Sequence, residues 1–344
     1  MRIYQVPADF SLNMFEIASY HQFFMTKANL YCNKRLELSD WDNKKFFEPF
    51  AQKIQRYKTI IIDEVQDFKE AWLYSIISYF LGEGGSVSVF GDGEQNIYGR
   101  DMEKETKMPP MRGMGFLGRW NEISERVSMR ILNPQIAELA SKFANNFVSD
   151  EMKPIVMQHN LFDDGFVIKY WNVGKANKAE KLVENINWIT QTFKLEAKNV
   201  VVLAESISLL RELTFHYEIM NKRRAMINFE TKQQYDELVK NVDNEYLKRD
   251  LENIRRAAKT HFTTCYDGIK LSTIHSFKGW ESQSIILFLQ TFNECDDDVD
   301  SYGIQERENT SSLIYTAITR ARGNLFIINL GNDKYHDFFS SHIK

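Results

Sequence analysis

The sequence predicts an α/β fold built on parallel sheets, and three observations carry that prediction. Runs of buried-strand character recur along the chain: KTIIID, SVSVF, NVVVLAES, SIILFL and NLFIINL. Between the first two lies FKEAWLYSIISYFL, whose apolar residues repeat at helical spacing. A strand-helix-strand order of this kind makes the two strands parallel neighbours and gathers ligands at their carboxyl ends. Asp63-Glu64 and Gly91-Asp92 both stand just past such ends, so they are expected to converge on one crevice.

Each later element follows from local chemistry. After a loop rich in Gly, Met and Pro from about 108 to 118, NPQIAELASKFANNF reads as a helix. Asn133 is placed to cap it, Pro134 takes its first position, and Ile136, Leu139, Phe143 and Phe147 line one face. The strand runs NVVVLAES, SIILFL and NLFIINL then predict a second α/β sheet from about residue 126 onward. Between its strands, roughly 221 to 261, lies a polar helical stretch whose thin apolar stripe is Leu238, Val242, Leu251 and Ile254, read as a small inserted subdomain. Cys295 to Asp300 is an acidic run read as a solvated loop.

Length and composition set the class. A chain of 344 residues exceeds the usual single core, and two domains are expected. With 43% hydrophobic and 26% charged residues it reads as soluble and globular, and no apolar run approaches the ~20 residues that cross a bilayer. The N-terminal MRIYQVPADF lacks the order of a secretory signal. Cys32, Cys265 and Cys295 have no paired spacing, which predicts reduced thiols in a cytoplasm. A net charge of -4 argues against coating nucleic acid by bulk charge. Lys222, Arg223, Arg224, Lys248, Arg249, Arg255, Arg256 and Lys259 nevertheless fall in one stretch, either a solvated helical face or a local basic groove.

Four segments carry chemistry. In TIIIDEVQDF a strand delivers Asp63 and then Glu64, one carboxylate to hold Mg2+ through water and one to polarise an attacking water. Asp67, just before FKEAW, is placed to cap the following helix. In VFGDGEQNIYGR the cluster of Asp92, Gln95, Tyr98 and Arg100 offers an amide to sense a phosphate and a ring for stacking. LSTIHSFKGWES follows, and SSLIYTAITRARGNLFIIN puts Arg320 and Arg322 late in an apolar helix, where an arginine can neutralise charge developing on a phosphate.

In order and wording, DEVQD, GDGEQNIYGR, TIHSFKGWES and IYTAITRA resemble motifs II, III, V and VI of the UvrD/Rep-like superfamily 1 DNA helicases, and VSMRILNPQIAELA resembles motif IV. The resemblance spans Thr59 to Leu330 and implies RecA-like parallel-sheet motor domains with small helical insertions. It implies a remnant of the helical 1B region over 1–50, a partial domain 1A over 51–125 and a domain 2A over 126–344 with a 2B-like insert at about 221–262. ATP and Mg2+ are the cofactors it implies. Asp63 would coordinate Mg2+, Glu64 would activate water, and Gln95 would contact the γ-phosphate and couple nucleotide state to DNA grip. Arg130 and Arg320 match the arginines that reach the γ-phosphate. Glu281 would bind the ribose hydroxyl, with Gly279 and Tyr98 also at the nucleotide. Thr273 and His275 would lie near single-stranded DNA, and Arg100 stands about where relatives carry a base-stacking aromatic. His275 has a structural alternative as a satisfied core histidine. Trp280, in place of the usual leucine, is read as core-filling.

The 344 residues contain no Gly-x-x-x-x-Gly-Lys-Ser/Thr loop to cradle phosphates. The expectation is therefore the C-terminal portion of a helicase that moves 3′ to 5′ on single-stranded or partly duplex DNA, inactive alone. A missing N-terminal segment or a partner chain would complete it, and an incomplete first sheet would favour self-association. The stretch between motifs IV and V is short, which favours translocation over processive unwinding. The alternative is a noncatalytic nucleic-acid or protein interaction module on a helicase surface. A nuclease using the acidic pair would leave the glutamine and arginine segments without a role.

Overall fold

The predicted strand-helix-strand unit is present in the computed structural model. It describes residues 15–32, 36–104, 106, 108–111, 114, 126–128, 131–149, 155–157, 165–174, 178–241, 244–263, 265–291 and 310–343. Arg130, Val242 and the acidic run 295–300 lie outside the described residues. The chain forms two compact units, Met1–Gly93 with Arg100–Trp120, and Glu94–Gly99 with Asn121–Lys344.

In the first unit α1 (Tyr20–Tyr31) precedes β1 (Tyr57–Ile62), α2 (Glu70–Ser75) and β2 (Leu81–Val89). The strands pair in parallel, with Thr59 to Ile62 opposite Ser86 to Val89. The helix is shorter than its sequence pattern, because at Ile76 it widens into a π-helical turn through Phe80. Ile76, Ile77, Tyr79 and Phe80 are all buried, and the wider turn keeps this near-continuous apolar run on the core side. Asp67 does not cap α2: Lys69 holds the N-cap position without a side-chain bond, and Asp67 ends a 3-10 turn from Val65. That turn consumes the residues that would have brought Asp67 to the helix start. The core beneath the sheet is aromatic. Tyr20 stacks on Trp72 at 4.4 Å, and Phe24 packs on Phe46 and Phe47.

The second unit carries a six-stranded, wholly parallel sheet in the order β5-β10-β9-β6-β8-β7. After β3 (Arg126–Ser128), α3 (Pro134–Phe147) and β4 (Ile155–Met157), with β3 and β4 a separate parallel pair, come β5 (Ile168–Asn172), α4 (Ala179–Thr192), β6 (Val200–Ala204) and α5 (Ile207–Asn221). Then follow β7 (Met226–Ile227), α6 (Lys232–Asn241), α7 (Asn244–His261), β8 (Lys270–Thr273), α8 (Ile274–Phe277), β9 (Ser282–Leu289), α9 (Thr310–Thr319), β10 (Ala321–Asn329) and α10 (Asp333–His342). This is a RecA-like parallel-sheet α/β architecture. Asn133 caps α3 as expected, accepting from Gln135 N at 2.9 Å.

Strand alternation divides the core into two layers. Val201, Leu203, Ile285, Leu287, Leu325 and Ile327 pack toward α3, α9 and α10. Val202, Ile286, Phe288, Phe326 and Ile328 pack toward α4 and α5. The sheet is thus covered on both faces, which is why its strands read as continuous apolar runs rather than alternating ones.

The inserted helices α6 and α7 are held by a buried charge cluster. Glu230, fully buried, accepts from Arg255 Nε at 2.7 Å and from Arg255 Nη2 at 2.9 Å, and Arg211 of α5 donates to the same carboxylate. Arg255 therefore does not belong to the surface basic stretch: the ion pair draws it inward, while Lys248, Arg249, Arg256 and Lys259 remain exposed. No helix among the described residues is long and apolar enough to cross a membrane.

Candidate functional site

In the first unit the acidic pair stands where β1 ends. Glu64 takes a left-handed backbone conformation, φ 53°, uncommon for a residue with a side chain. Its amide donates to Asp63 Oδ1 at 3.0 Å, and Val65 N donates to Phe90 O at 2.9 Å, tying the turn to the end of β2. Gln66 is the residue that sequence reasoning missed. Fully buried, it donates its Nε2 to Glu64 Oε2 and accepts from Asp92 N at 3.0 Å. One amide thus links the candidate water-activating carboxylate to the Gly91-Asp92 turn, so the two strand ends do meet. Gly91 is needed there, since a Cβ would lie 2.7 Å from Gln66 Oε1. No local signal marks Gln66, which stands among the charged residues Asp63, Glu64, Asp67 and Lys69 on the approach to the helix.

Arg100 also belongs to this unit. Its Nε donates to Asp67 O at 3.2 Å, and its guanidinium lies 5.5 Å from the centre of the Trp72 ring. No group of three or more His, Cys, Asp or Glu side chains that could hold a metal occurs among the described residues. A Mg2+ ion, if bound, would be held on this chain through the single carboxylate of Asp63.

The second unit assembles three segments that are distant in sequence. Residues 94–99 enter it through Ile97, 1% exposed in the core that also contains α3 and α9. Gln95 is thereby brought to Arg320, whose Nη2 donates to Gln95 Oε1 at 3.3 Å. Lys278 Nζ donates to the backbone oxygen of Gln95 at 2.9 Å. Arg320 follows the end of α9 and is 3% exposed; Nε reaches Thr316 O at 3.3 Å and Nη2 reaches Thr319 Oγ1 at 3.2 Å. Helix end and neighbouring hydroxyl therefore fix a buried, permanently charged guanidinium against a neutral amide, a pair suited to answering a phosphate. Arg322 is not in the helix: it lies in β10, because α9 stops at Thr319. There it faces Glu281, Nη1 to Oε1 at 3.5 Å.

Tyr98, His275 and Lys278 form a second group in this unit. The Tyr98 and His275 rings are 6.0 Å apart, and Lys278 Nζ lies 5.9 Å from the Tyr98 ring centre. Burial first, then the charges of Lys259 and Lys278, push the His275 pKa down to about 4, so the ring is neutral at physiological pH. It can exchange hydrogen bonds but brings no charge to a phosphate. Thr273, 7% exposed, caps α8 by accepting from Ser276 N at 3.2 Å. Gly279 has φ 82°, a conformation that favours glycine, and Trp280 packs partly buried against the core.

No family model matches the chain, and no curated protein matches it. Among solved structures it is similar to the C-terminal domain of a possible DNA helicase from Lactobacillus plantarum WCFS1, at 12% identity and a TM-score of 0.32, over 59% of this chain and 89% of that one.

Proposed function

We propose that the chain is the catalytic-carboxylate and arginine-bearing portion of an ATP-dependent DNA helicase or translocase of UvrD/Rep type. The observation that carries this reading is the meeting of Gln95, Lys278 and Arg320, from segments up to 225 residues apart: Arg320 donates to the side-chain oxygen of Gln95 and Lys278 to its backbone oxygen. In the proposed motor Glu64, oriented by Gln66, polarises the attacking water. Gln95 and Arg320 exchange their mutual hydrogen bond for contacts to the terminal phosphate. Glu281 accepts from the ribose, and Thr273 and neutral His275 face single-stranded DNA, which moves 3′ to 5′. Asp63 would hold Mg2+, which would neutralise charge on the phosphates.

Because the sequence has no glycine-rich phosphate loop, turnover is proposed only when such a loop is supplied from outside these 344 residues. That same feature favours the second reading, a noncatalytic nucleic-acid binding module. Fluorescence anisotropy with a labelled oligothymidylate separates them. The motor reading expects salt-sensitive binding whose affinity shifts with a non-hydrolysable ATP analogue and Mg2+, and loses that shift in Gln95→Ala. Binding indifferent to nucleotide would favour the module, and no binding to single strands would sink both.

A further inference from the structure

Strand β10 is irregular where it enters the sheet. Ala321 pairs with Ser282 and Asn324 with Ser284, so Arg322 and Gly323 together oppose the single residue Gln283. Such a bulge re-aims a side chain, and this one is pinned. Leu132 N and Asn133 N both donate to Arg322 O, at 2.6 and 3.1 Å, and Asn133 Nδ2 donates to Gly323 O at 2.9 Å. Gly323 leaves no room for a side chain, since a Cβ would lie 2.5 Å from Gln283 Nε2 and 2.6 Å from the Phe166 ring. The side chain thus held by the bulge is the one that reaches Glu281.

As a stabilising device the pair is poor. It is a single contact at 3.5 Å between side chains 36% and 20% exposed, a geometry that contributes little to folding. Arg322 Nε is buried without a hydrogen-bond acceptor among the described residues, which costs folding free energy. A pinned bulge and an orphaned N–H are thus set against one weak ion pair.

We infer that Arg322 is a positioning residue that fixes the Glu281 carboxylate for the ribose of a nucleoside triphosphate, and so sets a preference for ribonucleotides over 2′-deoxyribonucleotides. The inference rests on the proposed role of Glu281. A carboxylate held at one oxygen by a guanidinium cannot rotate freely, and a site built to accept from a hydroxyl discriminates against the ligand that lacks it.

The test is a ligand-detected NMR titration of the full 344-residue chain with Mg-ATP and with Mg-2′-dATP, alongside thermal melting. The wild type is expected to bind ATP about tenfold more tightly than dATP. Arg322→Ala and Arg322→Lys should bring the two affinities within about twofold of each other by weakening ATP alone, with no fall in Tm. Lysine keeps the charge but not the planar fork. Equal weakening of both nucleotides by alanine with rescue by lysine would assign a general pull on phosphates and overturn the inference. So would a lowered Tm with an unchanged ratio, which marks a structural pair, or a ratio lost in Glu281→Gln yet kept in Arg322→Ala. Equal affinity for the two nucleotides in the wild type would overturn the ribose role of Glu281 and this inference with it. Binding of neither, by this chain and by the same chain preceded by a glycine-rich phosphate-loop segment, would overturn the motor reading itself.

Discussion

The two units of the chain solve the same architectural problem to different degrees. In the second, six parallel strands are covered on both faces, and residues such as Val202, Ile286 and Phe326 have no exposed surface. In the first, two parallel strands share an aromatic core on one face, while Ile61 is 68% exposed and Phe90 55% exposed. Parallel strands ordinarily need cover on both faces. Among the described residues, the candidate arginine, glutamine and glutamate thus stand on a sheet covered on both faces, and the candidate carboxylates Asp63 and Glu64 on one with an exposed face. The local bonds around Glu64 compensate: Gln66 and the β2 end hold the left-handed turn that the short sheet alone would not.

The comparison can be broken most severely at Glu230. Replacing it by alanine leaves Arg211 and Arg255 buried without their carboxylate, which should cost about 3–5 kcal/mol in chemical denaturation. A small loss would mean that α6 and α7 are not anchored through this cluster. Next in size is a matched pair of deletions. Ile286→Ala in the covered sheet should cost ~2–5 kcal/mol, whereas Ile61→Ala on the open one should stay within ~0.5 kcal/mol. Equal costs would show that the exposed face of β1 is occupied in solution.

How much of this was legible in the sequence follows from which interactions are local. The strand runs, the Asn133 cap and the parallel pairing of β1 with β2 are encoded within a few residues, and so they could be read. Arg255 looked like one more surface cation, because a helical stripe does not reveal that Glu230 and Arg211 wait on other elements. Gln66 was passed over for the same reason: its partner Asp92 lies 26 residues away across a strand end. Asp67 was misplaced as a cap because nothing local signals the 3-10 turn that follows a left-handed glutamate. The motifs named Gln95 and Arg320 separately, yet only the burial of Ile97 brings them together.

A smaller effect sharpens the account of the second unit. The folded-state pKa of His275, about 4, lies below the unfolded value of 6.5, so between these the unfolded chain binds the extra proton. Stability is therefore full above pH 6.5 and is lost as pH falls toward 4, by up to about 3 kcal/mol. His275→Asn should flatten the dependence of Tm on pH in that window. An imidazole signal titrating near pH 6.5 would place the ring in water instead.

The central claim, that this chain supplies the hydrolytic and phosphate-sensing residues of a DNA motor, is tested most directly by turnover. The measurement is steady-state ATPase, with and without single-stranded DNA, on the 344-residue chain and on the same chain preceded by a glycine-rich phosphate-loop segment. The chain by itself should show no turnover; the extended chain should show DNA-stimulated turnover that Glu64→Gln abolishes. Saturable hydrolysis by the 344 residues themselves, or turnover that survives Glu64→Gln, would contradict the account.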